Sequence, residues 1–417
     1  MQKGTKLSHW LSNGLLVFTI FPYISPIPLK SDVQLTATLV ALVVIFFRWF
    51  VEKERIKMGW QEFGILAMAL IYFGYVTPES WSLPSEVVRK SSAMLLGFLI
   101  YLAGKMSYRD FSIKVVLACG FFHLAAAMLQ TVSPELHRVL IASFMGDIRT
   151  AELRGVGGAC NEASFLANIG VLLPLLLWII SGNGANHITK KMWIGLWIIV
   201  LGMMVLSQAA TATAYGVVVL VVYGMSKGWR SAFTTVSIAV VGAFAISALG
   251  PALPQTRATE LLKVGIENPR LFIEDPSASM RLVGHYLAGP SLMERPLGTG
   301  LVWLDQDYFW FLWNKYNIDS WYEVDISRQS GQYYAIGFGL TDFGASCLRM
   351  GWVFIAMLAF WMFQYRGTKY SWTVAAFVAL GVLSSIPIVF PAYWLLLACV
   401  QAERERRANL PSIPQTL

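Results

Sequence analysis

Charge is scarce in this chain. Only 13% of its 417 residues are Asp, Glu, Lys or Arg, against 56% that are hydrophobic. A soluble domain carries about a quarter charged residues, so this balance excludes an ordinary soluble enzyme and points to the membrane class. Cysteine is scarce too, with four copies. Cys119, Cys160, Cys347 and Cys399 are far apart, which excludes a disulfide framework and zinc-ligand spacing. They read as small buried hydrophobes. No Gly-Lys-Ser/Thr sequence is present, so a nucleotide P-loop is excluded. No inverted repeat relates the two halves, which weakens a secondary-transporter reading. The first apolar run, Leu11 to Ile24, has no small-residue cleavage site and reads as a span rather than a secretory signal.

What is present is a series of apolar runs, each suited to a hydrocarbon core about 30 Å thick. They lie at 10–24, 35–51, 59–76, 91–104, 112–131, 162–181, 192–207, 212–225, 231–249, 336–363, 371–386 and 388–400, the last two broken at Pro387 and Pro391. The net charge of +8 does not gather on one face or tail, so nucleic acid is not an expected partner. Basic residues recur instead in alternate short connections. One set, which includes Lys53, Arg55, Lys105, Arg109, Lys190, Lys191, Arg366 and Arg404, holds about 17; the opposite short loops hold about six. The excess predicts an all-α, polytopic membrane protein of about 12 transmembrane helices, with both termini in the cytoplasm. Residues 1–417 form one integral membrane domain, and 250–335 form a large, partly helical periplasmic loop within it. A connection that long is a working part of a helical scaffold.

Four constellations carry chemistry. In the first, Arg154-Gly155-Val156-Gly157-Gly158 leads through Asn161 and Glu162 into a helix that re-enters the membrane from outside. Glycines let a backbone approach closely, and an outward helix N-terminus offers free N–H groups and a positive dipole end to an anion. The same residues also make an ordinary capped turn. In the second, Asp275 and Pro276 open a helix that Gly289-Pro290 is expected to stop. Met280, Val283 and Leu287 share one face; Arg281 and His285, four apart, project from another. A guanidinium beside an imidazole suits a phosphate and a proton transfer, and it equally suits a solvated surface face. Pro296-Leu297-Gly298-Thr299-Gly300 then reads as a tight turn. The third is Arg349 inside the run 336–363, costly there unless it faces a cavity or snorkels to the interface. The fourth is the stretch 301–334, where Tyr308, Trp310, Trp313 and Tyr316 accompany Asp305, Asp307 and Asp319. Such a mixture suits sugar stacking, and it suits an interfacial aromatic belt somewhat better. His9, His123, His137 and His187 read as packing or loop residues.

At Arg154 to Phe165, and again at Arg281 to Gly300, the chain resembles the bacterial O-antigen polymerase and ligase superfamily. In that family an Arg–Gly…Glu–(Pro)–Ser–Phe segment enters a helix, and a large periplasmic loop follows with an Arg-led helix and a Pro-x-Gly-x-Gly turn. Here the first motif is Arg154, Gly155, Glu162, Ala163, Ser164 and Phe165, with Ala163 where proline is common; the second is Arg281, then Pro296, Gly298 and Gly300. The His-Asn pair that ligases carry late in the loop has no counterpart in Gly331 to Ile336, which favours a polymerase. The resemblance implies metal-independent transfer of a glycan from an undecaprenyl-diphosphate carrier to a lipid-linked repeat unit, with no cofactor. Arg154, Arg281 and Arg349 would hold the diphosphate, and Glu162 or His285 would be the base. The carrier lipid in the surrounding membrane and a chain-length regulator protein are the expected partners. An O-antigen ligase acting on lipid A core, a flippase or transporter, and a non-catalytic export partner are the alternatives.

Overall fold

The structure, a computed structural model, describes residues 6–24, 35–56, 58–76, 84–145, 156–160, 163–182, 188–207, 210–228, 230–231, 233–234, 237, 276–300, 306–318, 342–384 and 386–409. They are mostly helical. Among them there is no strand, and the sole sheet-like pairing is an isolated bridge between Ile24 and Met145. In chain order the helices are α1 (Lys6–Ile20), α2 (Leu35–Phe46), α3 (Trp60–Gly74), α4 (Pro84–Ser107), α5 (Ile113–Val132), α6 (Pro134–Leu140), α7 (Ala163–Ser181), α8 (Lys190–Ser207) and α9 (Ala210–Lys227). After the long connection come α10 (Pro276–Glu294), α11 (Gln306–Lys315), α12 (Asp342–Met350), α13 (Trp352–Gln364), α14 (Ser371–Ser384) and α15 (Pro391–Ala408).

Every apolar run read from the sequence contains a described helix except 231–249, nearly all of which lies outside the described residues. Among the described residues, four helices are long and apolar enough to cross a membrane: Val87–Asp110, Ile113–Val132, Ala163–Ser181 and Lys190–Ser207. On α8, Ile194, Ile198, Leu201 and Val205 form an exposed apolar stripe, a face that lipid tolerates and water does not.

The core centres on α7 and α15. Leu395, Leu396, Leu397 and Ala398 are wholly buried, and α15 lies along α4. The approach is close because α4 is glycine-bearing there: a Cβ at Gly97 would collide with the Trp394 ring, and one at Gly104 would crowd Leu395 and Ala398. Small residues at a helix crossing gain van der Waals contact that needs no water to drive it.

Two expectations are corrected. The run 336–363 is not one span: Gly351, at φ 57, breaks it into α12 and α13. Gly289-Pro290 does not stop α10, which runs on to Glu294 with Pro290 inside. Proline removes one helical hydrogen bond and kinks a helix, and packing on both sides can outweigh that loss. Here Ser291, just beyond it, is fully buried, and the Arg295 N–H still donates to the Ser291 carbonyl at 2.8 Å.

Candidate functional site

The periodicity of α10 decides what it presents. Val283 and Leu287 are buried in a small second core with Phe309, Leu312 and Trp313 around α11 and with Ala345 and Leu348 of α12. Ala288 belongs to the main core, so α10 is clasped between the two. It crosses α12 with Gly344 against the Gly284 backbone, where a Cβ has no room. This leaves Arg281 and His285 on another face, as the four-residue spacing predicts. The His285 Nε2–H donates to the Leu383 carbonyl at 2.8 Å, in the last turn of α14. The sequence explains why that carbonyl accepts: its helical donor would be residue 387, and Pro387 has no N–H. With Nε2 donating, Nδ1 is the ring's acceptor.

The Pro296–Gly300 turn wraps the end of α12. The Thr299 N–H donates to the Leu348 carbonyl at 3.1 Å and the Gly300 N–H to the Arg349 carbonyl at 2.8 Å; the Trp352 N–H returns to the Pro296 carbonyl at 2.8 Å. Gly298 and Gly300 have φ of 70° and 104°. A Cβ on Gly298 would collide with the Arg349 carbonyl, and one on Gly351 with the Pro296 carbonyl, so both contacts require glycine. Arg349 is therefore held by its backbone in the last turn of a short helix, where the dipole favours a cation. Its Nε is buried with no hydrogen-bond partner, and it attracts Asp342 electrostatically from two turns along α12. The Tyr75 hydroxyl of the α3 end donates to the Leu297 carbonyl, tying the turn to the bundle.

The glycine turn before α7 is fixed to α5 and α6. Gly158 has φ 60, and a Cβ there would sit 3.0 Å from the His123 carbonyl. The His137 Nε2–H donates to the Gly158 carbonyl at 2.7 Å, while the Gly158 N–H donates to Gln130 Oε1 at 2.8 Å. Arg154, Asn161 and Glu162 lie outside the described residues. One turn into α7, the Phe165 ring lies 6.0 Å from that of Phe390. In the same 386–390 connector, the Ile388 N–H donates to Asp342 Oδ2 at 3.2 Å. The connector thus joins the start of α7 to the start of α12. Arg281, His285 and Arg349 are carried by helices gathered at this one end of the bundle.

The aromatic stretch resolves into α11. Tyr308, Phe309 and Trp313 are buried and serve the small core rather than a sugar. Trp303, Asp305, Asp319 and residues 319–334 lie outside the described residues. On the open side, Arg295 lies 4.0 Å from the Tyr308 ring centroid, and Lys315 pairs with Glu294 at 2.7 Å. That hydrogen bond holds the Lys315 ammonium above its ordinary range.

Several contributors were not singled out from the sequence. Asp342 was findable, being an acid in an apolar run like Arg349. Pro387 signalled an orphan carbonyl in the turn before it. Nothing local marks Tyr75, Gln130 or His137, whose partners are 21 or more residues away. All four cysteines are buried, as expected of small hydrophobes. No protein-family model matches the chain, and no curated protein matches it.

Proposed function

We propose that this chain is an O-antigen or surface-polysaccharide polymerase of a bacterial inner membrane. It moves a glycan from an undecaprenyl-diphosphate donor onto a lipid-linked repeat unit at the periplasmic face. The observation that carries the reading is that the Arg281–His285 helix packs on α12, the Pro296–Gly300 turn holds the Arg349 end of α12, and the connector that Phe165 touches holds its other end. Phe165 and the Arg281–Gly300 stretch belong to the segments that resemble the polymerase and ligase superfamily. In this reading the chain crosses the membrane about twelve times, with both termini cytoplasmic and 250–335 outside. The charge asymmetry supports the orientation: Lys105, Arg366 and Arg404 meet at the opposite end of the bundle, in the connections assigned to the cytoplasm.

Chemically, an acceptor hydroxyl attacks the donor's anomeric carbon while the bond from that carbon to the diphosphate oxygen breaks. The hydroxyl proton passes to Glu162 or to His285 Nδ1, and undecaprenyl diphosphate leaves with the electron pair. Arg154, Arg281 and Arg349 stabilise the charge that develops on it, and guanidinium forks suit paired phosphate oxygens.

Gel profiling of lipopolysaccharide from a strain lacking the gene tests the reaction. A band of core plus one repeat unit is expected; bare core with accumulated lipid-linked polymer would assign the ligase, for which His285 is the one favouring observation. Topology is tested separately. A cysteine replacing Ser277 is expected to label in intact cells and one replacing Asn183 is not; the reverse pattern overturns the orientation.

A further inference from the structure

A slot of about 410 Å³ runs between α7, α8 and α9, with Thr373 of α14 at its wall. Its other walls are apolar and aromatic, with Trp178, Trp193, Trp197, Leu201, Leu220 and Tyr223 among them. The Gly170 face of α7 is open to it: a Cβ there would approach nothing closer than the Met204 methyl at 3.5 Å. Pro174, inside α7, withholds the N–H that would bond the Gly170 carbonyl, so α7 is free to bend there. The slot is lined from Gly170 to Trp178 on α7 and from Trp193 to Met204 on α8, which at 1.5 Å per residue makes it about 12–16 Å long. It is long, narrow and parallel to two of the four helices that are apolar enough to cross a membrane. Its near end lies seven residues into α7, about 10 Å from the helix start and hence from the glycine turn.

We infer that this slot holds the isoprenoid tail of the polyprenyl-diphosphate substrate, an assignment that rests on the polymerase reading above. A diphosphate docked at the α7 N-terminus places its tail beside α7, pointing down the slot. About 410 Å³ spread along the slot's length suits one chain, whereas an ordinary phospholipid carries two. Four aromatic rings, Trp178, Trp193, Trp197 and Tyr223, line the slot and suit the alkene units of an isoprenoid, which a saturated acyl chain lacks.

The test is photolabelling of the full chain in lipid nanodiscs with undecaprenyl monophosphate carrying a diazirine part-way along its tail. Adducts are expected on the slot-lining Trp197, Val200, Met204, Val219 and Tyr223, and excess unlabelled undecaprenyl monophosphate should remove them. Leu201→Trp and Val217→Trp, which grow into the slot from its exposed rim, should lose most of the labelling, while Ile198→Trp on the outer face of α8 should keep it. Adducts scattered over Ile194, Ile198 and Val205, or competed equally by phosphatidylglycerol, would overturn the assignment; the wild-type map alone decides this if a variant fails to fold. Slot adducts together with an unchanged lipopolysaccharide ladder in the deletion strain would leave the slot standing and remove the polymerase reading. A lost ladder with scattered adducts would do the opposite.

Discussion

At one end of the bundle Arg48 lies against Asp110, Glu54 and Ser12, and Lys105 bridges Glu62 at 2.7 Å and Glu405 at 2.6 Å. Arg406 and Arg407 both close on the buried Glu403. At the other end the ties are mostly to backbone: Tyr75 to Leu297, His285 to Leu383, His137 to Gly158, and the Pro296–Gly300 turn to α12. The first end uses its charges on one another, linking helices far apart in sequence. The second fixes its geometry with carbonyls and glycines; a buried Nε without a partner occurs at both ends, on Arg48 and on Arg349, but Arg48 is enclosed by the carboxylates of Glu52, Glu54 and Asp110, whereas Arg349 is held by its backbone. A cation positioned by its backbone can still serve an anionic ligand. A cation enclosed by carboxylates cannot.

If chemistry belongs to the second end alone, the largest effect should come from its proton acceptor. Glu162→Gln or His285→Gln, whichever removes the base, should cost about 10²–10⁴-fold in polymerisation rate. Gln at 285 can still donate to the Leu383 carbonyl, so loss of activity there would report proton transfer rather than a lost tie. Wild-type chain lengths in both purified variants would remove the role from both residues.

The ion-paired end should respond in stability instead. Removing Arg48, whose side chain is 8% exposed, leaves Asp110 with His9 and Ser8 as its side-chain partners and should destabilise the fold by up to roughly 3–5 kcal/mol. Thermal denaturation in detergent reads this. In the double variant Arg48→Ala/Asp110→Asn the losses should be less than additive, because each removes the other's ion-pair partner. Protein that survives should make polymer of normal length; a changed length distribution would mean that the two ends are coupled. Gly298→Ala sits between these cases. Its φ of 70° alone costs roughly 1–3 kcal/mol, and the new methyl strikes the Arg349 carbonyl. Faster amide exchange at Thr299 and Gly300, with no change around Lys105, is the expected signature.

Much of this contrast was legible in the sequence, and the reasons divide cleanly. Helices were visible because apolar runs are a local, periodic signal, and α10 showed its faces through Val283, Leu287, Arg281 and His285. The glycine motifs announced backbone approach but not what they approach. That Gly298 meets Arg349, 51 residues on in the chain, is a tertiary fact. The break at Gly351 was hidden because one glycine in an apolar run is compatible with an unbroken helix; its positive φ follows from the turn docked against it. Pro290 misled for the converse reason, since burial on two sides outweighed a strong local stop signal.

The smallest expected effect is also the most selective, because it keeps charge, burial and helix propensity nearly constant. Arg281 lies on the α10 face that also carries His285, and its lysine variant should fold as well as the parent, with an unchanged thermal midpoint. What lysine cannot do is present two parallel N–H donors to one phosphate group. Losing one charge-assisted hydrogen bond is worth about 1.5–3 kcal/mol, so polymerisation should fall by at least about tenfold. If the lost bond serves the leaving diphosphate only as charge develops, the loss should appear in kcat with KM little moved. A rise in KM alone would reassign Arg281 to ground-state binding of the donor. Near-normal chain lengths in the lysine variant would make Arg281 a surface residue, and the contrast between the two ends would then rest on Arg349 and the glycine turns.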